Sequence, residues 1–339
     1  MKPRLEIRFD KDLRLAFRRR KPAYAPCDNE FLLNHARSGL LLALQTLGLP
    51  QGSKVGVMAL NCHTVMNAVA QTGCQPVFID VDYNLQLDLE DLRRKSCGLR
   101  ALIVTHLFGI LNDIQAIQQS FPNLIIIEDC AHAFGKPIEG SFGVYSIGQG
   151  KMPSLGDGGI LLVNDTNFIN TAQSLYKDLP EYSKWNETKL YLRLQLSSWF
   201  NSRMLYGWLS MPLKRWRKPQ SGKETIVMKK MSAGVQAMLS LRKDSVKEMI
   251  ERHRATAQKE IDRLNSNPLV IKTLVGENAF MLPVLCSDVT LLKTQYAQRG
   301  VETATHFANS ILWAKEFGYQ GDCPNTEKLL SELLVIPVY

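Results

Sequence analysis

Between residues 30 and 176, short apolar runs recur with helix-length segments between them, and no other feature restricts the fold as much. The runs at 54–60, 76–81, 101–105 and 124–128 are brief and rich in Val, Ile and Leu, as strands covered on both faces require. A later run, 159–163, is another strand ending at an Asn-Asp turn. The Leu- and Ala-rich stretch 34–47 reads as a helix, and a second helix is expected through Met66 and Ala70. Such alternation predicts an α/β chain with a mostly parallel sheet. A strong helical pattern resumes at Met231 and runs to about Leu264, and apolar runs at 270–272, 280–285 and 333–337 fit a small α+β unit. The expected organisation is a basic N-terminal segment over 1–30, a large domain over 31–230, and a linking helix with a small C-terminal domain over 231–339.

Ligands of α/β sheets gather at the carboxyl ends of strands. Asp129 stands there, closing the apolar run of IIIEDCAHAFG at 125–135. Downstream, Lys151 sits in YSIGQGKMPSLGDGG at 145–159, with Gly148 and Gly150 letting the backbone bend close to a ligand. A lysine among glycines, paired with an acid at a strand end, is what pyridoxal 5′-phosphate chemistry needs. The amine joins the cofactor aldehyde as a Schiff base, and the carboxylate keeps the pyridine nitrogen protonated. Taken singly, Asp129 reads as a helix cap and Lys151 as a surface lysine. Burial beside a cationic ring is expected to make the amine a proton shuttle. Ser38-Gly39, at the start of the Leu/Ala-rich helix, and Ser146 are candidates for the phosphate, and His132 for the ring face; a bare histidine is otherwise a satisfied core residue.

Charge and cysteine content narrow the setting. The net charge of +9 is concentrated. Residues 1–22 hold nine Lys/Arg against three Asp/Glu, and residues 177–230 hold twelve against four. Basic stretches this local suit phosphates or a lipid surface better than nucleic acid, for which no recognition motif is present; the other reading is a solvated tail and arm. Seven cysteines without a Cys-x-x-Cys pattern suggest reduced thiols and no metal site, and the start carries no apolar leader segment. A cytoplasmic protein, peripheral at the inner face of the membrane, is expected.

Several blocks, in order, resemble the DegT-type sugar aminotransferases, fold type I pyridoxal-phosphate enzymes. They are Arg37-Ser38-Gly39 with Ala43-Leu44, PVFIDVD at 76–82, HLFG at 106–109, EDCAHAFG at 128–135, YSI at 145–147, Lys151 and GDGG at 156–159. MSAGVQA at 231–237, THF at 305–307 and the run 333–337 continue the series. The resemblance implies Lys151 as the Schiff-base lysine, Asp129 as the pyridine-nitrogen partner and His132 beside the ring. Ser146 and the Ser38-Gly39-Leu40 turn would bind phosphate, and His306 and Phe307 would face substrate. It also implies a homodimer that transfers an amino group from glutamate to a nucleotide-linked keto-sugar for a polysaccharide or other glycan. Retention of Lys151, where related dehydratases carry histidine, favours transamination; a changed reaction on the same cofactor is the second enzymatic reading. The chain departs from the family at Leu40, where a Thr is usual, and at Cys62, where an aromatic ring usually covers the cofactor, so that His63 would substitute. It departs again at Met228, where an Asn usually reaches the neighbouring phosphate, with Lys230 supplying charge instead. Those three departures support a rival reading, a non-catalytic homologue docked on a membrane in glycan assembly.

Residues 183–226 lie outside the family pattern. The spacing of Leu192, Leu196, Trp199, Phe200, Met204, Trp208 and Leu209, with KRWRK at 214–218, suits an amphipathic arm on an anionic membrane. A dimer arm or lid is the other reading. No uncharged run here is long enough to cross a bilayer.

Overall fold

The structure, a computed structural model, describes residues 24–200 and 222–338, together with Leu13, Ala16 and Phe17. Most of the basic stretch 1–22, the KRWRK run at 214–218, and Met204, Trp208 and Leu209 lie outside the described residues. Strands β1 (Glu30–Leu33), β2 (Lys54–Met58), β3 (Gln75–Ile79), β4 (Leu99–Thr105), β5 (Ile125–Cys130), β6 (Phe142–Ser146) and β7 (Gly159–Val163) form one sheet in the order β1-β7-β6-β5-β4-β2-β3. Pairing is parallel from β3 through β6, whereas β7 runs antiparallel to both β6 and β1.

Both faces of this sheet are covered, which explains the unbroken apolar runs. Side chains alternate across it with period two. In β4, Ala101 and Ile103 join one core, with Leu41, Leu42 and Leu44 of helix α1 (Ala36–Leu47), while Leu102 and Val104 join the opposite one. In β5, Ile127 and Ile126 divide in the same way. Helix α1 ends at Gly48, whose left-handed backbone (φ 56°) closes the helix without a Cβ clash. Helices α2 (His63–Gln71), α3 (Leu89–Lys95), α4 (Ile114–Ser120) and α5 (Ile169–Lys177) complete this part. Asp88 and Asp113 accept amide hydrogens at the starts of α3 and α4.

Helix α6 (Lys184–Phe200) follows, and then the single helix expected from Met231 to Leu264 proves to be two, α7 (Ala233–Arg242) and α8 (Val246–Asn265), broken by a 3-10 turn at Lys243–Ser245. A second sheet, β8 (Val270–Thr273), β9 (Met281–Cys286) and β10 (Leu333–Pro337), is antiparallel in the order β10-β9-β8. Of helices α9 (Val289–Gln298), α10 (Ser310–Glu316) and α11 (Pro324–Glu332), α10 packs on α2 and the other two pack against this second sheet. Its apolar contacts continue into the first part: Met281, Leu285, Leu329 and Val335 share a core with Met58, Ile79 and Leu102. At the other end, Leu13 and Ala16 are buried in a core with Val235 and Met238 of α7. No helix among the described residues is long and apolar enough to cross a membrane.

Candidate active site

The carboxyl ends of β4, β5 and β6 converge with the loop after β2, the start of β7 and the N-terminus of α1. Between them lies a cavity of about 330 Å³ whose wall includes Thr105, Asp129, His132, Ser146 and Lys151. Parallel pairing of β4, β5 and β6 brings Thr105, Asp129 and Ser146, residues far apart in the chain, to one rim.

Lys151 Nζ stands 2.7 Å from His132 Nε2. His132 Nδ1 accepts the Phe108 backbone N–H at 3.0 Å, so the proton of a neutral ring lies on Nε2. Nε2 is thus the ring nitrogen that meets the Lys151 amine, and the contact fixes where Nζ points in the cavity. Burial holds His132 well below the usual imidazole pKa, and the nearby charges of Lys151 and His306 act in the same direction. The ring stacks on Phe108, with centroids 5.7 Å apart. Phe108 and Phe307 both hold left-handed backbones (φ 55° and 60°), an uncommon state for such residues that recurs at ligand sites.

Asp129 is buried, and burial raises its carboxyl pKa, while Lys151 and the Ala131 amide pull it back. Its Oδ1 accepts Ala131 N–H at 3.1 Å and its Oδ2 faces Thr105 Oγ1 at 3.4 Å. Thr105 in turn accepts from Asn61 Nδ2 at 2.8 Å. A buried carboxylate of this kind gains from a cationic ring nitrogen, so the donor set fits pyridoxal phosphate.

The phosphate end fits in part. Ser146 lines the cavity, as do Ala36, Arg37 and Leu40 from the first turns of α1. That helix start has no side-chain cap and no acidic residue, leaving its positive dipole end toward the cavity. Gly159 permits this approach, because a Cβ there would meet the backbone of His35 and Ala36. The role expected of the Ser38 hydroxyl is corrected: it donates to Asn34 Oδ1 at 2.8 Å, is wholly buried, and does not line the cavity. Gly39 also lies behind the wall, where its missing side chain lets α1 pack on Val144. Lys230 is turned away, 3.3 Å from Glu181 and over the Tyr176 ring, so within this chain its charge does not reach the cavity.

Cys62 lines the wall, but His63, expected to replace the missing aromatic ring, does not. Its ring packs against Trp313 with centroids 4.8 Å apart. Phe307 reaches the cavity, and His306 stands behind it, 5.7 Å from Phe108 and 6.4 Å from His132 between ring centroids.

Sequence reasoning missed four polar residues. Asn61 and Thr105 hold the Asp129 side of the site. His35 lines the cavity, and Asp157 grips it with an Oδ1–Nδ1 contact of 2.7 Å. Only Asp157, inside GDGG, carried a visible signal. A grouping with metal-ligand spacing, His106, Glu128 and Cys130, is buried beneath the site. Glu128 spends Oε2 on His106 (2.9 Å) and Oε1 on the Glu139 and Gly140 amides (2.6 and 2.5 Å), and burial pushes the Cys130 thiol well up, so the group acts as a brace.

Comparisons with known proteins agree with this geometry. GDP-perosamine synthase of Escherichia coli O157:H7 is 33% identical over 137 residues, 37% of this chain and 38% of that protein. The chain thus matches about two-fifths of the length of that relative, and likewise of the Vibrio cholerae enzyme of the same name. The spore coat polysaccharide biosynthesis protein SpsC of Bacillus subtilis is 24% identical across 95% of this chain and 84% of its own. Among solved structures, the aminotransferase TlmJ from Streptoalloteichus hindustanus superposes with a TM-score of 0.76 at 19% identity, covering 100% of this chain and 93% of that one. An Escherichia coli GDP-4-keto-6-deoxy-D-mannose-3-dehydratase reaches 0.74 at 14% identity, covering 100% and 95%. The fold is therefore that of the fold type I pyridoxal-phosphate enzymes. A family model matches residues 16–339, and the chain belongs to the DegT/DnrJ/EryC1/StrS aminotransferase family.

Proposed function

We propose that this chain is a pyridoxal-phosphate-dependent aminotransferase. It moves an amino group from glutamate to a nucleotide-linked keto-sugar, in the biosynthesis of a polysaccharide or other glycan. The observation that carries the reading is the 2.7 Å contact of Lys151 Nζ with His132 Nε2 in the cavity that Asp129 also lines. The names of the relatives, GDP-perosamine synthase and spore coat polysaccharide biosynthesis protein, support the substrate class and the product.

When bound, the cofactor supplies an electron sink that lets a proton leave the amine-bearing carbon. Asp129 would hold the proton on the ring nitrogen, and Thr105, oriented by Asn61, fixes the carboxylate. Lys151 would take the departing proton on Nζ and deliver it two atoms away, to the carbon on the far side of the transferring nitrogen, a 1,3-transfer. His132, meeting the amine through Nε2, fixes where Nζ points and stays neutral because of its burial. Ser146 and the open end of α1 would hold the phosphate. Phe307 closes part of the wall and limits water.

The working unit is proposed to be a homodimer, which gives Lys230 a site to serve beyond its own chain. An anionic membrane surface is a proposed partner of the arm that begins with α6. There Trp185, Leu192, Leu196 and Trp199 are exposed along one stripe, while Leu190 and Leu194 are buried on the other side. The buried Ser38 hydroxyl and Leu40 reduce the donors for phosphate and favour a second reading, a non-catalytic homologue acting as a membrane-associated binding partner.

Purified protein mixed with pyridoxal phosphate should develop a visible absorbance band that Lys151→Ala abolishes. With glutamate and a panel of GDP- and dTDP-linked 4-keto-sugars, 2-oxoglutarate and an amino-sugar nucleotide should appear together by mass spectrometry. A protein that stays colourless and releases neither product would establish the non-catalytic reading.

A further inference from the structure

We propose that Cys62 is an activated thiol in the cavity wall, a modification site for soft carbon electrophiles such as α,β-unsaturated carbonyl compounds. Its sulfur lies 3.7 Å from His63 Nδ1 and accepts the Thr64 hydroxyl at 3.3 Å. The other imidazole nitrogen, His63 Nε2, has no hydrogen-bond partner among the described residues, although the side chain is nine-tenths buried. It stands 3.8 Å from Glu224 Oε1, too far for a hydrogen bond and near enough for charge attraction. Thiol, imidazole and carboxylate therefore lie in line, the order that favours a thiolate beside an imidazolium.

Arg37, 2.5 Å from the same Glu224 oxygen, opposes the imidazolium but leaves the carboxylate charge in place. Burial works against ionisation of Cys62, yet the hydrogen bonds from His63 and Thr64 outweigh it and draw the thiol below its ordinary range. The bond to Cys62 raises His63 in the matching direction, against its own burial. By contrast, burial and the nearby Glu128 and Asp129 charges push Cys130 up. Reactive thiols combine a lowered pKa with access, and Cys62 is half-buried on an open cavity.

In the reaction, His63 Nδ1 takes the thiol proton and the sulfur attacks the β-carbon of the unsaturated carbonyl. An S–C bond forms, the C=C π pair moves onto the α-carbon, and that carbon recovers a proton from the imidazolium. No oxidant is required. An adduct at Cys62 would occupy the space beside Lys151, so modification and cofactor loading should exclude one another. That last step rests on the cofactor reading proposed above; the reactivity of the thiol does not.

The test uses the full chain with substoichiometric N-ethylmaleimide, followed by peptide mass mapping. Cys27 and Cys97, both more exposed, serve as internal references. Cys62 should be labelled several-fold faster than either, and His63→Gln should slow Cys62 several-fold without altering Cys27. Circular dichroism verifies the fold of the variant. Pre-loading with pyridoxal phosphate should suppress Cys62 labelling alone. If wild-type Cys62 reacts no faster than Cys27 and Cys97, the proposal is overturned. Rapid labelling that persists in the presence of the cofactor would uphold the activated thiol and overturn the placement of the cofactor beside it.

Discussion

Asp157 binds His35 at 2.7 Å with one carboxylate oxygen and Arg193 at 3.2 Å with the other. His35 is part of the cavity wall and Arg193 belongs to α6, so one buried carboxylate joins the site to the arm. Gln149, two residues before Lys151, adds a second tie to α6 through Ser197 Oγ at 2.8 Å.

Asp157→Asn should therefore affect both ends. The amide keeps the volume but loses the charge that holds His35 and Arg193, interactions worth about 1.5–3 kcal/mol when a charged group is involved. Arg193 is well exposed, which places its share near the lower end. Weaker binding of pyridoxal phosphate in titration, together with faster proteolysis within α6, is the expected pair of outcomes. Unchanged values for both would show that the carboxylate does not couple them.

Gly159→Ala should be harsher. The new methyl group would meet the backbone nitrogen of Ala36 and the carbonyl carbon of His35, which cannot rotate away. Either α1 shifts off the strand or the strand moves, and both distort the open helix end. A loss of about 3 kcal/mol is expected by denaturant titration, in the upper range for overpacking. The cofactor absorbance band should fall with it.

The parts legible in the sequence were those set by local pattern. The apolar runs that became β2, β3, β4, β5 and β7 announced themselves because each is covered on both faces. Strands β1 and β6 did not: Glu30 opens EFLL, Gly143 and Ser146 interrupt the apolar run of FGVYS, and β1 exists through pairing Glu30–Leu33 with partners about 130 residues away. Lys151, Asp129 and His132 were readable from spacing and share the cavity. Ser38 was misread because its helix position indicates a neighbourhood but not which way a hydroxyl turns, and Asn34 captures it. Asn61 and Thr105 were invisible because their contact spans 44 residues and arises only when β2 and β4 lie side by side.

His132 gives a pH signature. Its folded pKa lies well below the ordinary value of 6.5, so the unfolded chain binds its proton first on acidification. The stability from a neutral, buried His132 is present above pH 6.5 and is lost as pH falls from there toward the depressed folded value. His132→Gln removes this contribution. Unfolding of the cofactor-free protein, compared between wild type and variant from pH 7.5 to 5, should show a steeper loss in the wild type. Parallel curves would mean that the ring is not held neutral in the fold.

The outer stripe of α6 yields the last prediction. Trp185, Leu192, Leu196 and Trp199 are 66%, 52%, 51% and 62% exposed, and at helical spacing they form one apolar face opposite Leu190 and Leu194. Lys189 lies over the Trp185 ring, 5.0 Å from its centroid, so cationic and apolar groups share the stripe. That combination suits an anionic lipid surface, where apolar burial and charge attraction add. The full chain should sediment with vesicles rich in anionic lipid, less so with neutral ones, and progressively less as salt rises. Leu192→Glu with Leu196→Glu should reduce sedimentation severalfold while leaving thermal stability within about 0.5 kcal/mol, because both positions are exposed. If the double variant instead converts a dimer to a monomer in analytical ultracentrifugation, and wild type ignores the vesicles, the stripe faces a second copy of the chain and the membrane assignment fails.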